Sequence, residues 1–490
     1  MQDSQLTTEI ARDLRQAIID MAASGQGEGG ADNTILSRFL PLPSHARILE
    51  PDCLLIIGHR GAGKTELFRV LRDTSGPSAV AQASARIDNM SLARITWSVG
   101  YATDVIDFTH PLELQRFAAD HSSDDLQMIW MGYLAKSLTT AGVMTADSFP
   151  NAIFNSNQPE AQLEAVISDL NGVISALDRL NQTLINNDKY VYVTYDELDR
   201  VSSSNWDALA KIVRGLVQLW SANARRWGRI RPKIFLRNDL YQKAAIVGPD
   251  ISKISANRLR LSWSVKDLYA LFFKRFVNQN SDLVGRYLGK LKPPGKVLGN
   301  LGWTPDAGSE EDFAPAVERI CGEFMGTHRT KGKTFTWIPT HLQDAHGEVL
   351  PRSFLRLFEK AAEIENENRQ AGQPHLIHHS CLRGALDNVS IDRMEELKEE
   401  FPWIEVFRQH LLSKGITVPI ERKQLQNEIT INWENEQKDR RAPFLNSYEL
   451  IQFLGEFGMF YTRKDGRMDV RDIYLKGLGF KRKGGVQRPF

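Results

Sequence analysis

The run Cys53-Leu54-Leu55-Ile56-Ile57 passes directly into Gly58-His59-Arg60-Gly61-Ala62-Gly63-Lys64-Thr65, and Glu66 to Arg72 then reads as a helix. This succession constrains the fold more than any other feature of the chain. A short, uniformly apolar run bounded by glycine fits a strand buried on both faces of a parallel sheet. The spacing Gly58-x4-Gly63-Lys64-Thr65 is that of a phosphate-binding loop, which works only between such a strand and a helix. Its glycines let backbone N–H groups turn inward around phosphates, the helix N-terminus adds a positive dipole end, and Lys64 brings a point charge to the β- and γ-phosphates. The Thr65 hydroxyl is the expected ligand of a Mg²⁺ ion. Gly58, His59, Arg60, Gly61, Ala62, Gly63, Lys64, Thr65 and Glu66 therefore form the expected nucleotide-binding segment. A chance glycine turn is the alternative, and the flanking strand and helix weigh against it.

A second apolar strand, Tyr190 to Tyr195, ends in two adjacent carboxylates, Asp196 and Glu197. Asp196 at the strand end can hold the Mg²⁺ shell, and Glu197 can accept a proton from the attacking water or orient it. A solvated strand end would explain such a pair in isolation; the loop upstream is what favours catalysis. The helical segment from Trp206 to Trp220 separates this strand from a third, Lys233 to Arg237, and strand–helix–strand implies a parallel sheet. Arg258 to Trp263 reads as one more strand.

At 490 residues the chain exceeds what one hydrophobic core supports, so roughly two to four domains are expected. The expected architecture is α/β: a helical arm and linker over 1–30, a parallel-sheet P-loop core over 31–264, a helical lid over 265–415 and a small winged-helix-like α+β unit over 416–490. In the arm, Leu6, Ile10, Leu14, Ala17, Ile18 and Met21 recur at helical steps and give a face suited to docking, before the flexible run Ser24 to Gly30. Residues 84–155 mix strand-like and helix-like pieces and resist assignment. Leu163, Val166, Leu170, Val173, Leu177, Leu180 and Leu184 line one side of a long expected helix, packing on the sheet or, alternatively, on a coiled-coil partner. Lys290 to Glu311 reads as loop, Pro351 to Glu365 and Ser390 to Leu412 as helices. The last unit shows a helix, Tyr448 to Phe457, and a strand pair around Lys464-Asp465-Gly466-Arg467.

Arg60-Gly61-Ala62-Gly63-Lys64-Thr65, Asp196-Glu197-Leu198-Asp199-Arg200, Phe235-Leu236-Arg237-Asn238-Asp239 and Pro351-Arg352-Ser353-Phe354-Leu355 together resemble the motifs of bacterial AAA+/STAND-like, KAP-type P-loop ATPases, which are often encoded in antiphage-defence or mobile-element clusters. The resemblance spans roughly residues 40 to 400 and implies ATP hydrolysis, since a Glu directly after the strand-end Asp is that group's arrangement. No Asn-Lys-x-Asp pattern follows, which favours ATP over GTP. The resemblance further implies a polar sensor after the third strand, Asn238 with Arg237 as its rival, although Asn238 and Asp239 also suit helix capping. It implies that Arg258, ahead of Arg260, reaches the ATP of a neighbouring subunit, which requires a homo-oligomer; a solvent-facing charge or salt bridge is the alternative. Arg352, in the first turn of a Pro-started helix, would read the γ-phosphate from the lid, or is ordinary surface charge. The paired arginines of the group's second region of homology are missing.

The net charge of +1 argues against a chain devoted to coating nucleic acid or anionic membrane, while leaving local patches open. One such patch runs from Tyr461 to Phe490, with nine Lys or Arg against three Asp. Arg463, Lys464 and Arg467 on a wing, and Lys481, Arg482, Lys483 and Arg488 in a tail, suit DNA phosphates or an acidic protein partner. His375, His378, His379 and Cys381 lack a second ligand pair at finger-like spacing, so a helix surface or start is favoured over zinc. Three scattered cysteines, no apolar run of about 18 residues and no signal sequence after Met1 predict a cytoplasmic protein with no membrane partner. Three functions follow: a Mg²⁺-dependent ATPase that switches or assembles a partner effector, plausible in prokaryotic antiviral defence; a DNA-dependent motor or loader; and an ATP-binding scaffold with negligible turnover.

Overall fold

The apolar run before the glycine loop forms β1 (Leu55–Gly58), all four residues buried. The computed structural model describes residues 8–23, 35–83, 89–201, 205–243, 256–368, 374–436, 440–442, 444 and 446–483. The chain divides into two units, Pro41–Ser262 and Met1–Leu40 with Trp263–Phe490.

In the Pro41–Ser262 unit β1 joins β2 (Ile95–Tyr101), β3 (Tyr190–Tyr195), β4 (Ile230–Arg237) and β5 (Leu259–Arg260) in one sheet. The spatial order is β2-β3-β4-β1-β5 and every pair is parallel. Parallel pairing brings the carboxyl ends of β1, β3 and β4 to one edge, with Gly58 level with Arg237 and Tyr195 level with Ile234. The stretch that resisted assignment supplies β2 at the sheet's edge, where Ile95, Trp97 and Val99 are only half-buried. It also supplies the helix Ser123–Thr140, started by a capping box of Ser122 and Asp125. That helix is buried on every side from Ile129 to Leu138, which erases the amphipathic period by which a helix is recognised. Its Trp130 Nε1 donates to Ile212 O at 2.9 Å and fixes it to the helix Trp206–Asn223.

The expected long helix over Leu163 to Leu184 is two helices, Pro159–Ser168 and Leu170–Asn186. Asp169 (φ −141°, ψ 51°) leaves the helical region and its carboxylate accepts the Gly172 N–H at 3.0 Å, capping the second helix instead of continuing the first. Val166, Val173, Leu177 and Leu184 lie in the core of this unit, so the seam packs on the sheet. Each such side chain contributes about 1.5–3 kcal/mol of burial. Lys233, the polar start of the third expected strand, is fully buried and donates to Glu50 O (2.6 Å) and Cys53 O (2.8 Å), pinning the segment that leads into β1. Burial pushes its ammonium pKa down to about 7.

In the other unit the helix Thr8–Ala23 buries Leu14, Ile18 and Met21, and Arg15 Nε donates to Asn366 Oδ1 at 2.6 Å. The face expected for docking is thus used within the chain; Leu6 and Ser24 to Gly30 lie outside the described residues. The helix Val265–Gln279 starts at a Ser264/Asp267 capping box and packs Phe272 on Phe358, centroids 4.1 Å apart. Lys290 to Glu311, expected as loop, contains an antiparallel hairpin of β6 (Gly295–Val297) and β7 (Trp303–Pro305). The glycines that suggested loop serve its turn, Gly299 at φ 47° and Gly302 at φ 67°. Ser390 to Leu412 is likewise broken, into His379–Glu400 and Trp403–Lys414, because Pro402 forces Phe401 out of the helical region (φ −134°, ψ 89°).

The C-terminal part runs helix Trp403–Lys414, β8 (Thr417–Val418), helix Arg422–Glu428, helix Ser447–Glu456, β9 (Phe460–Thr462), turn, β10 (Met468–Val470). β9 and β10 are antiparallel, and Ile420 just after β8 bridges Met468 antiparallel, closing a small sheet. This is the winged-helix succession, to which β11 (Lys481–Arg482) adds a parallel partner for β8.

Candidate nucleotide site

β1 delivers Gly58 to the carboxyl edge of the sheet, where a Cβ on it would lie 3.1 Å from Ala62 Cβ and 3.4 Å from Leu261 Cβ. Gly61 (φ 82°) and Gly63 (φ 98°) take left-handed conformations that favour glycine. The Ala62 N–H closes the turn on His59 O (3.1 Å), and the Leu67 N–H to Gly63 O bond (3.0 Å) begins the helix Lys64–Arg72. Thr65 and Glu66 therefore stand in a first turn, with Glu66 on the side of the dipole that favours negative charge. Lys64 Nζ donates to Gly58 O (2.8 Å) and His59 O (3.0 Å), so its ammonium is held within the curl of the loop. His59 and Arg60 are half-buried in the same curl.

Asp196 and Glu197 follow β3 on the same edge, both buried. Asp196 Oδ2 has no hydrogen-bond partner among the described residues. Its carboxyl pKa is pushed up to about 7, chiefly by burial; the Glu197 backbone N–H opposes this, Asp199 adds to it, Lys64 opposes it and Glu197 adds to it. A dehydrated carboxylate oxygen aimed at nothing, within electrostatic reach of Lys64, is an arrangement that a cation would relieve. Glu197 sits in the left-handed region at φ 58°, a conformation costing a non-glycine residue about 1–3 kcal/mol and typical of functional sites. Its carboxylate is engaged at both oxygens. Oε2 accepts from the Thr103 hydroxyl and from the Thr103 N–H (3.3 Å), and Oε1 pairs with Arg200 at 3.1 Å. Thr103 was not anticipated from sequence. Its signal was available: Ile95, Trp97, Val99 and Tyr101 alternate at period two, and a polar residue follows at the strand's carboxyl end.

Arg237 closes β4 level with Gly58. Only 6% exposed, it pairs with Asp199 (3.5 Å) and lies over the Trp206 ring at 5.7 Å. Asn238, the first candidate for a polar sensor, is half-buried and begins the short helix Asn238–Lys243. Arg258 is exposed immediately before β5, an edge strand. Arg352 lies in the helix Pro351–Asn368 of the other unit, where it pairs with Glu396 at 3.2 Å.

The basic C-terminal residues are largely answered by carboxylates. Buried Asp469 accepts Arg463 (2.9 Å) and Arg482 (2.9 Å), Arg482 also takes Asp472 (2.8 Å), and Arg467 pairs with Asp465 (2.6 Å). Lys464 and Lys481 are exposed; Arg488 lies outside the described residues. His378 caps the helix His379–Glu400, in keeping with a helix start, and among the described residues no group of three or more His, Cys, Asp or Glu could hold a metal ion. Among those residues, too, no helix is long and apolar enough to cross a membrane.

No family model and no curated protein matches the chain. Among solved structures it is similar to the ORC2 protein of Aeropyrum pernix in ADPNP-ADP complexes, with 12% identity and a TM-score of 0.35 over 97% of this chain and 92% of that one. The ADP form of the same protein gives 11% and 0.30 over 95% and 90%, and Cdc6p of Pyrobaculum aerophilum gives 13% and 0.28 over 97% and 95%. Likeness at this level speaks neither to activity nor to partners.

Proposed function

We propose that the chain is a Mg²⁺-dependent ATPase that acts as a nucleotide-driven switch or assembly factor for a partner effector. The observation that carries this reading is the unpartnered, buried Asp196 oxygen beside Lys64, on the same sheet edge as the glycine loop. In this reading the loop N–H groups and Lys64 bind the β- and γ-phosphates, and Lys64 exchanges its two loop carbonyls for phosphate oxygens. Asp196 and Thr65 hold Mg²⁺, which when bound neutralises developing phosphate charge. Glu197 takes the proton of the attacking water. Its ties to Thr103 and Arg200 hold its carboxylate away from a free approach to water and support slow basal turnover, as a switch requires.

Arg237, buried and level with Gly58, is better placed than Asn238 to sense the loop, and exposed Arg258 is the residue offered to a neighbouring copy. Arg352 would have to leave Glu396 to join a phosphate. A lid over 265–415 would transmit the nucleotide state, and the resemblance of the motifs suggests antiviral defence in the cytoplasm as the setting. Titration with a fluorescent ATP analogue tests the binding step. The wild type should saturate, and Lys64→Ala, which removes charge-assisted bonds of about 1.5–3 kcal/mol, should bind roughly 10- to 150-fold more weakly. Equal affinity in the two would end the reading.

A further inference from the structure

The β6–β7 hairpin and the turn Gly289–Leu291 before it form an exposed basic segment. From Arg286 to Pro305 the chain carries four cations, Arg286, Lys290, Lys292 and Lys296, and no carboxylate. Lys290 is exposed and has no carboxylate partner among the described residues. Lys296 has only Asp306 at 3.1 Å, with both side chains more than half exposed, a pair that water and salt readily exchange. Every residue of β6 is exposed, Val297 by 75%.

The exposed ribbon is nevertheless built to be rigid. Lys274, fully buried in the helix Val265–Gln279, donates to Leu301 O (2.6 Å) and Thr304 Oγ1 (3.0 Å). Asn278, one turn on, accepts the Trp303 N–H (2.8 Å) and donates to Trp303 O (2.9 Å). The Trp303 ring lies under Gly295, where a Cβ would come within 2.5 Å of it, and Lys292 lies over the same ring at 4.7 Å. Burying an ammonium to hold a loop is costly. A hairpin with no task could be tethered more cheaply by apolar contacts.

We propose that this hairpin and the turn Gly289–Leu291 that precedes it form a docking surface for duplex DNA, with Lys290 and Lys296 against the phosphates and the Gly299-Asn300 tip entering the major groove. A two-stranded ribbon is of the width that the B-form major groove admits, whereas the deep, narrow groove of A-form RNA excludes it. The tip is slender, since a Cβ on Gly299 would meet nothing. The aromatic residue suits a membrane poorly: Trp303 is buried instead of exposed as an interfacial anchor, which leaves only Val297 and Leu291 as exposed large apolar groups of this segment. The wing is the weaker surface, because its arginines are paired with Asp465 and Asp469 and the adjoining helix Ser447–Glu456 carries Glu449 and Glu456 with no Lys or Arg. DNA docking here is independent of the nucleotide reading.

The test is fluorescence anisotropy of a labelled duplex with the full chain, without nucleotide, across a salt series. The wild type should bind with salt-dependent affinity. Lys290→Glu with Lys296→Glu should weaken binding roughly tenfold or more and lower the log–log salt slope by about 2, near 0.9 for each phosphate no longer neutralised. Lys464→Glu on the wing should leave affinity within about twofold. Lys290→Gln with Lys296→Gln gives the same reading if charge reversal disturbs folding, which thermal melts reveal. The proposal falls if the wild type binds no duplex, if both hairpin variants bind like the wild type, or if the wing variant alone loses binding. It also falls if anionic vesicles, and not DNA, are retained in a hairpin-dependent way.

Discussion

Asp196→Asn removes a charge that the folded protein holds unfavourably. The Asp196 pKa lies at about 7 against 3.8 for the free group. That difference of about three units, at ~1.4 kcal/mol each, sets a ceiling of about 4 kcal/mol, and local relaxation brings the expected penalty to about 2–4 kcal/mol. The sign follows from proton binding. The unfolded carboxyl ionises near 4 while the folded one keeps its proton to about 7, so wild-type stability is lost as pH rises through that window and the loss is complete above 7. In urea or thermal melts with EDTA at pH 8, the Asn variant should therefore be the more stable protein, by roughly 4 to 16 °C in Tm for a unit of this size. The gap should narrow at pH 5. Mg²⁺ with an ATP analogue should raise the wild type more than the variant, because only the carboxylate recovers its dehydration cost by holding the cation. An Asn variant no more stable at pH 8, or a gap equal at pH 5 and pH 8, would refute the reasoning.

Thr103→Val removes the hydroxyl's hydrogen bond to Glu197 Oε2 and keeps the backbone N–H one; freeing about 1 kcal/mol of restraint should raise kcat roughly fivefold at unchanged analogue affinity, read by phosphate release. Arg237→Ala strands Asp199 and uncovers Trp206, and should cost about 1–3 kcal/mol in urea melts once the partial exposure of Asp199 is discounted. A loss below about 0.5 kcal/mol would show the pair to be incidental.

The parts legible in sequence are those whose chemistry is local. The loop from Gly58 to Thr65, the strand ending at Asp196 and Glu197, and the turn at Gly466 each follow from a few adjacent residues, and each forms where expected. What escaped depends on partners far along the chain. β2 alternates at period two, but nothing local says which strand it pairs with, and the helix Ser123–Thr140 carries no amphipathic stripe because it is enclosed. Thr103 therefore had no context until β2 was placed beside β3, which sets it 94 residues from the carboxylate it grips. Periodicity alone also ran helices together across Asp169 and Phe401-Pro402; the capping Asp and the proline were both visible, and both outweigh an uninterrupted apolar seam. Charge counting overstated the number of available cations in the C-terminal segment for a related reason. It tallied Arg463, Arg467 and Arg482 as available, while the fold spends them on Asp465, Asp469 and Asp472.

The claim that two adjacent carboxylates convert a nucleotide-binding loop into a hydrolase is tested most directly by phosphate release from ATP, in wild type and Glu197→Gln, with Mg²⁺ and with EDTA. The wild type should release phosphate only with Mg²⁺, and Glu197→Gln should slow release by about 10²- to 10⁴-fold while binding the analogue as tightly as the wild type. Equal rates in the two proteins, or release that ignores EDTA, would contradict it.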